Sequence, residues 1–450
     1  MRGLTTVARA ALGAAAGWGL LIVCGAGSAA AATLASRPEP AVEARAKLDK
    51  LELLARLERG DTAALEAQLD ALQSTVERDV RSERDLQRAF EAFAIPRPDL
   101  EPRLVAWTRR SPSSFAAQLA LATHDAARGW AARGSKFAAE TRPEQFAEMN
   151  RFFLKAVESG SAALALQPSS TEAYALLINV AMARSEKARL EDLVRRALAQ
   201  APSSYRVRRA VMQTLRPRWG GSHAAMQRFA EDSQRYRNEN PRLLELRGMA
   251  AWDAGVVAVA DKNYGGAVQL FTVALQAGPN AEFYASRADA YLRMNENEKA
   301  LADANESLLL HPQVAGVLAD RARAIGGTGN IEVAVADLEL ATKLDPDDGS
   351  VAYSRDWLSA SLVRAGCDLE KQGKYDDALE RFDAAARIDP GGAEVLYWRG
   401  RTLIQKGQLA RARQDVERAI ELRPSYFDAY QPLDWLLAKE GRWDDVIVRW

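Results

Sequence analysis

The apolar positions of this chain fall on helical spacings soon after its first charged stretch. Leu48, Leu51, Leu54 and Leu57 form one stripe that ends at Gly60 and Asp61, and Leu65, Leu69, Leu72, Val76 and Val80 form the next. Apolar side chains three and four residues apart share one face of a helix, so 39–95 reads as an amphipathic helical hairpin with Asp61 placed to N-cap its second arm. Such a hairpin either shields the first end of a larger helical array or makes a coiled-coil contact with a partner. "AIPRPDLEP", residues 94–102, has the composition of a linker. Irregular helix pairs are expected over 103–247.

From there the pattern becomes periodic. Prolines recur at Pro168, Pro202, Pro241, Pro279, Pro312, Pro346, Pro390 and Pro424, at intervals of 34, 39, 38, 33, 34, 44 and 34 residues. With each proline set at position 32 of its unit, position 8 is Gly255, Ala288, Ala322, Gly366 and Gly400, and position 20 is Ala267, Ala300, Ala334, Ala378 and Ala412. Two antiparallel helices approach closely only where the facing side chains are small, so positions 8 and 20 are expected to meet in a tight hairpin. Position 24 is mostly bulky (Phe271, Ala304, Leu338, Phe382, Val416), and position 27 is small again (Ala274, Ser307, Ala341, Ala385, Ala419), where the next unit would pack. Gly329, Gly373 and Gly407 stand at position 15, with Asn295 in the same place; these residues tolerate the left-handed turn that ends a helix.

Five positions agreeing over five units resemble the tetratricopeptide repeat family, over roughly 248–450. The resemblance implies an all-α fold, an α-solenoid in which antiparallel helix pairs stack into a right-handed superhelix with a concave groove, here preceded by the irregular helical domain. "AEVLYWRGRTLIQKGQLARARQDVERAIELRP", residues 393–424, is the cleanest copy. The family's tryptophan near position 4 is missing, and 347–358 holds an insertion of about ten residues, expected to lengthen a helix or to bulge from the solenoid edge. The last unit starts near Phe427 and stops at Trp450 inside its second helix, so either the natural chain continues or "WDDVIVRW" packs into something else. In 103–247, Trp107, Pro112, the helical stretch to Ala132 and "PRWGGSHAAM" resemble an uncharacterised bacterial family defined by an Arg-Trp-Gly-Gly-Ser motif. That resemblance implies architecture and no chemistry.

Residues 1–36 stand apart. Arg2 and Arg9 precede an uncharged run from Ala10 to Leu34 that ends in "GSAAAAT" and Ser36, Arg37, Pro38. This order reads as a secretory signal peptide, or as an uncleaved single membrane anchor, and both place the rest of the chain outside the cytoplasm. The expected location is exported, periplasmic or extracytoplasmic. After cleavage only Cys367 remains, so no intramolecular disulfide and no paired-cysteine metal site is expected. The formal net charge is zero across 60 basic and 60 acidic residues, which gives no case for a nucleic-acid partner.

Candidate chemistry is sparse. His124, His223 and His311 lie about a hundred residues apart with no metal-ligand spacing between them. "IGGTGN" at 325–330 lacks the Gly-Lys-Ser/Thr of a phosphate loop, and "DPDDG" at 345–349 lacks the distal glutamate of a calcium loop. No cofactor and no metal is expected, and the chain reads as a non-catalytic scaffold that binds another protein or peptide. The resemblance places its groove on first-helix positions 2, 5, 9 and 12, including Asp289, Arg323, Cys367, Glu370, Tyr397 and Arg401. The Lys and Asn pair with which some family members hold a terminal carboxylate is not recognisable there. Cys367 is either a reactive exposed thiol or a small buried one.

Two alternatives stay open. An exported enzyme or effector would keep its site in 103–247, around Trp219. There Arg216, Arg218 and Ser222 also suit an anion at a helix N-terminus, although nothing nearby in the sequence supplies a base, nucleophile or metal partner. The bland reading of the same residues is a joint, with Ser222 as the N-cap of the next helix. A self-assembling structural element is the other alternative: 171–247 holds 15 Lys/Arg against 8 Asp/Glu, and 280–450 holds 22 against 30, so the two halves carry opposite charge.

Overall fold

A computed structural model describes residues 49–134, 140–326 and 329–449, all of which fall in one compact unit. Every regular element among them is helical. The expected signal peptide or anchor, 1–36, lies outside the described residues, as do residues 327–328 of the "IGGTGN" turn and Trp450. No described helix is long and apolar enough to cross a membrane.

Four helices lead the chain: α1 (Lys50–Arg59), α2 (Thr62–Arg78), α3 (Glu83–Glu91) and α4 (Leu100–Arg110). Asp61 stands at the N-cap of α2 as expected, but its side chain makes no capping bond. Leu54, Leu57, Leu65, Leu69 and Val76 of the two apolar stripes are buried. They do not form a core of their own. One cluster runs from Leu53 through Trp107, Phe153 and Tyr174 to Val211, because three short helices have too little facing surface to bury both stripes alone. The 94–102 segment is therefore a connection inside this core, with Ile95 and Leu100 buried and the His124 Nδ1–H donating to the Ile95 carbonyl at 2.9 Å. The boundary expected at 247/248 is crossed in the same way, by a cluster joining Tyr205, Met226, Trp252, Phe271 and Phe283.

Helical hairpins come next in series: α5 (Phe115–Arg133) with α6 (Pro143–Leu166), then α7 (Thr171–Ala183) with α8 (Lys187–Gln200). After them, α9 (Tyr205–Thr214) and α10 (His223–Ser233) form a looser pair. α9 packs mainly on α7, and α10 packs on a 3-10 stretch, Pro241–Gly248. Regular pairing resumes with α11 (Met249–Ala260) and α12 (Tyr264–Leu275), α13 (Ala281–Arg293) and α14 (Asn297–Leu310), and α15 (Ala315–Gly326) and α16 (Ile331–Leu344). It continues with α17 (Gly349–Lys371) and α18 (Tyr375–Ile388), α19 (Ala393–Gln405) and α20 (Leu409–Leu422), and the short α21 (Tyr430–Lys439) and α22 (Trp443–Arg449).

The repeat geometry is legible in its turns. Position 15 has a left-handed φ in every regular unit from α7 onward: Ser185, Lys262, Asn295, Gly329, Gly373, Gly407 and Gly441. Inside the hairpins the expected approach of position 8 to position 20 is seen at Gly400, where a Cβ would stand 3.2 Å from the Ala412 carbonyl oxygen, but the tighter contact is with position 24. A Cβ on Gly255 would stand 2.4 Å from the Phe271 ring, one on Gly366 2.6 Å from Phe382, and one on Gly400 2.7 Å from Val416. Position 8 is small to admit the bulky position 24, and the alanines at position 20 are buried beside that contact.

A second device joins the units. Arg287, Arg321 and Arg399, all at position 7, each donate two bonds of 2.7–2.8 Å to a buried aspartate at position 23 of their own unit, Asp303, Asp337 and Asp415. The remaining guanidinium nitrogen reaches back to position 25 of the preceding unit, at Thr272, Asn305 and Asp383. One arginine thus clamps a hairpin and fixes it to its neighbour.

The insertion at 347–358 lengthens a helix. α17 has 23 residues against 12 in α15 and 13 in α19. Its added turns lie along α15, where a Cβ on Gly326 would meet Leu358 at 2.7 Å and Trp357 at 3.2 Å.

Gly366→Ala should destabilise the protein by about 2 kcal/mol, because the new methyl has to displace a packed ring. Phe382→Leu on that background should recover part of the loss, so urea unfolding of the four-member cycle should show a favourable coupling. Additive losses would mean that position 8 and position 24 do not share this space.

Candidate functional site

The structure sorts the six expected groove residues into two groups. Asp289 and Arg323 lie 3.9 Å apart across α13 and α15. Arg293 donates to Asp289 at 2.8 Å, and the Arg323 guanidinium lies over the Tyr353 ring at 5.1 Å. Tyr353 comes from the added turns of α17 and is exposed. Asp320, also beside Arg323, is pushed up to about 7 by burial, which outweighs that arginine's attraction.

The second group gathers Cys367 and Glu370 of α17 with Tyr397 and Arg401 of α19. Arg401 reaches Glu370 at 3.5 Å and lies over the rings of Trp398 at 4.6 Å and Tyr397 at 5.8 Å. Tyr397 meets Tyr426 edge-on at 5.1 Å, and Arg423 covers Tyr426 at 4.1 Å. Burial, with Glu394 and Tyr397 beside it, pushes the Tyr426 hydroxyl up to about 12. Cys367 is half-buried, and burial followed by the nearby Glu370 pushes its thiol up to about 11. A thiol so placed stays protonated at neutral pH and is a poor nucleophile. The arrangement offers aromatic faces and a guanidinium to an extended chain, and little to a covalent reaction.

Sequence reasoning missed where the leading helices touch the repeats. Glu91, the last residue of α3, accepts from Lys50 Nζ at 2.9 Å and lies 2.8 Å from His311 Nε2, 220 positions along the chain. Gln313 extends the contact: its Oε1 accepts from the Lys50 amide at 2.9 Å and its Nε2 donates to Asp49 at 2.8 Å. Arg88 donates to the Leu310 carbonyl. Between these helices and the repeats lies a cavity of about 570 Å³, lined by Arg84, Glu91, Arg209, Arg242, Glu245 and Glu282 among others. Its charges are largely matched internally: Arg209 pairs with Glu282, and Glu245 serves Arg84 and Arg242. Burial, then the like charge of Arg242, brings Arg84 down to about 10.

The "RPRWGGS" segment is a joint. Gly220 has φ 88°, and a Cβ on Gly221 would stand 2.1 Å from the Leu215 carbonyl oxygen, so both glycines are required by the backbone. Ser222 is the N-cap of α10 and accepts from the Ala225 amide at 3.1 Å, as expected. Trp219 packs edge-on against Trp130 of α5 at 6.2 Å. Arg216 is buried, stacks on Trp252 at 4.9 Å and pairs with Asp253 of α11. Asp253 also lies 2.8 Å from His223 Nε2. The expectation that nothing supplies a base or partner here is thus corrected: tertiary folding brings in a carboxylate from 30 residues away, and it occupies Arg216 as the anion. Arg218 keeps an exposed face and lies 5.8 Å from the Trp219 ring; desolvation of its covered part, then the charges of Arg216 and Arg133, lowers its basicity.

The three histidines have different partners: the Ile95 carbonyl for His124, Asp253 for His223 and Glu91 for His311. His124 is fully buried, and burial brings it down to about 4, so it is neutral at pH 7. Among the described residues no three His, Cys, Asp or Glu side chains gather as a metal site.

Glu91 generates a pH prediction. Burial alone would push its carboxyl up, but Lys50 and His311 outweigh burial and hold it well below its ordinary value of 4.5. A depressed folded pKa adds stability that is complete above the ordinary value and is lost as pH falls toward the folded one. Glu91→Gln should therefore cost about 2 kcal/mol at pH 7, leaving Lys50 without its partner. In urea unfolding that gap should persist to pH 5 and narrow progressively below about pH 4.5. A gap that closes already between pH 7 and pH 5 would contradict this balance.

Residues 363–427 match the family model of the tetratricopeptide repeat. The chain is similar to a DnaJ homolog subfamily C member 7 homolog of Schizosaccharomyces pombe, 28% identical over 146 residues, which are 31% of this chain and 31% of that protein. It is also similar to Hsc70-interacting protein 1 of Drosophila melanogaster, 33% identical over 105 residues, 23% of this chain and 26% of that protein. The matches thus span about a third or less of these relatives' own length. Among solved structures it is similar to YrrB, a TPR protein with an unusual peptide-binding site, at 19% identity and TM-score 0.30 over 45% of this chain and 97% of that one. The P58(IPK) TPR domain is similar at 15% identity and TM-score 0.26 over 66% and 86%. Among the described residues the chain is an all-helical solenoid, and its residues 363–427 match the tetratricopeptide repeat.

Proposed function

We propose that this protein is a non-catalytic scaffold of the bacterial cell envelope and that its repeat groove holds an extended segment of another protein. The observation that carries this reading is the cluster of Arg401, Tyr397, Trp398 and Tyr426, fixed on α19 and the turn after α20. Rigid aromatics around a guanidinium form an anchor that loses little freedom on binding, and a stacked solenoid presents it already shaped. Arg401 suits a carboxylate of the bound segment and the tyrosines suit its apolar side chains. The leader-like residues 1–36 support export, and the likeness of 103–247 to the Arg-Trp-Gly-Gly-Ser family supports a bacterial setting. Hsc70-interacting relatives support a protein as the ligand.

The test is a peptide-array screen with the full chain. Segments retained by the wild type should bind at least tenfold more weakly to Tyr397→Ala/Arg401→Ala, with the circular dichroism unchanged. Undiminished binding by the double variant would move the site elsewhere. Recovery of the chain's own segments alone would favour self-assembly, for which the opposite charges of 171–247 and 280–450 are the supporting observation.

A further inference from the structure

α3 does not fill the space it faces. Between it, α5 and α7 lies a further cavity of about 370 Å³. Thr123, Ala127 and Trp130 stand at i, i+4 and i+7 on α5, and Leu176, Asn179 and Val180 at i, i+3 and i+4 on α7, so each helix turns one face to it. Phe90 of α3 and Pro96 complete an apolar wall. Trp130 is buttressed there, meeting Phe153 edge-on at 5.2 Å and Trp219 of the Arg-Trp-Gly-Gly-Ser joint at 6.2 Å. Gln87, Glu91, Ala94 and Arg206 line both this cavity and the larger one of about 570 Å³, so the two meet at these residues. Both volumes suit a small organic ligand.

The polar groups around this junction are unevenly used. Its carboxylates are covered: Glu172 accepts from Arg206 Nε on both oxygens, at 2.8 and 2.9 Å, and Glu91 is shared by Lys50, His311 and Gln87. The donors are not. Among the described residues the two terminal nitrogens of Arg206 make no hydrogen bond, and neither does the side-chain amide of Asn179. Arg84, on the wall of the larger cavity, makes none either and approaches Glu245 only to 3.8 Å. These nitrogens are not sealed inside the protein; each keeps accessible surface. The Arg206 side chain as a whole is only 16% exposed and is fixed through its Nε, so its open end costs little to hold in place.

A guanidinium has five donors and no acceptor. A metal ion or an amine would add positive charge where donors already lack acceptors, and a plain hydrocarbon would leave those donors unpaired. An anion with an apolar body meets both walls, and it breaks no ion pair, because it takes nitrogens that no pair uses. We propose that the joined cavities bind a small amphipathic organic anion, its oxygens on the terminal nitrogens of Arg206 and its apolar body against Phe90, Trp130 and Leu176. A carboxylate head and a phosphate head share this chemistry.

The full chain is titrated by isothermal calorimetry with octanoate, octyl phosphate, octanamide and octylamine. Saturable binding of octanoate or octyl phosphate is expected, and the tighter of the two names the head group. The amide and the amine should bind about tenfold more weakly, since they cannot form the charge-assisted bonds. Ala127→Phe fills the smaller cavity and should abolish binding with the circular dichroism unchanged. Arg206→Lys keeps a charge beside Glu172 but removes the open guanidinium nitrogens, and should weaken binding about tenfold. Should that variant not fold, an ω-brominated octanoate locates the body: its bromine should quench tryptophan emission in the wild type, and that quenching should fall in Trp130→Phe. No saturable binding of either anion, equal binding of the amide or the amine, or binding undiminished in Ala127→Phe would overturn the proposal. Tyr397→Ala/Arg401→Ala should bind the anion as the wild type does; a loss there would move the anion to the groove and overturn it as well.

Discussion

Glu83 has no contact with solvent, yet four donors converge on its carboxylate. Ser204 Oγ donates at 2.6 Å, the amides of Tyr205 and Arg206 at 2.8 and 3.2 Å, and Asn240 Nδ2 at 3.2 Å. Burial pushes this carboxyl up, and the Ser204 bond, the charge of Arg242 and the two amides pull against it. The amides are the free donors at the start of α9, so a side chain from α3 stabilises the N-terminus of a helix more than 120 residues away. This contact sets where the leading helices lie, and from there Glu91 meets His311 and the cavity closes against α13 and α15. Replacing such a residue would leave several buried donors without an acceptor at once.

The repeats solve the same problem by periodicity. Each hairpin needs its two helices close, its turn left-handed and its neighbour in register. Position 8 against position 24 supplies the first, position 15 the second, and the arginine at position 7 the third. A buried ion pair is weak ground for added stability, since desolvation opposes the attraction. Its two directed bonds to one aspartate and a third to the preceding unit instead fix geometry, and geometry is what keeps groove positions aligned from one unit to the next. The device is not universal: position 7 and position 23 are Ala254 and Leu270 in the unit of α11 and α12, and Ala365 and Arg381 in the unit of α17 and α18.

How much of this the sequence discloses depends on whether a contact repeats. The small residues, the turn glycines and the helical stripes recur, so the helices, the hairpins and the effect of the insertion were readable. Ser185 and Lys262 occupy the same left-handed turn without looking like turn residues, which hid the regularity of the earlier units. Arg287 and Asp303 lie 16 residues apart, and the same pair recurs at Arg321/Asp337 and Arg399/Asp415, so this contact too leaves a trace in the chain. Single long-range contacts leave no such trace: neither Glu91 with His311 nor Asp253 with Arg216 has a partner visible in the chain. Shared cores run across the boundaries drawn at 95, 103 and 247 for a related reason. Composition marks where polar connections run, not which cores the flanking helices share.

The groove is consequently two surfaces. Its earlier part, from α9 to α16, is bordered by the leading helices and filled with matched charge: Arg209 with Glu282, and Glu245 with Arg84 and Arg242. A partner entering there would have to replace ion pairs that the fold already satisfies, and the desolvation involved offsets most of what new contacts return. Beyond Arg323 the wall changes. Tyr353 is exposed, Arg401 keeps more than a third of its side chain open while paired to Glu370 at 3.5 Å, and the aromatics around it are held by one another. Loosely engaged guanidinium over rigid rings costs little to redirect toward a ligand. The lengthened α17 stands where these two surfaces meet, so its added turns both close the satisfied half and furnish the first aromatic of the half left open.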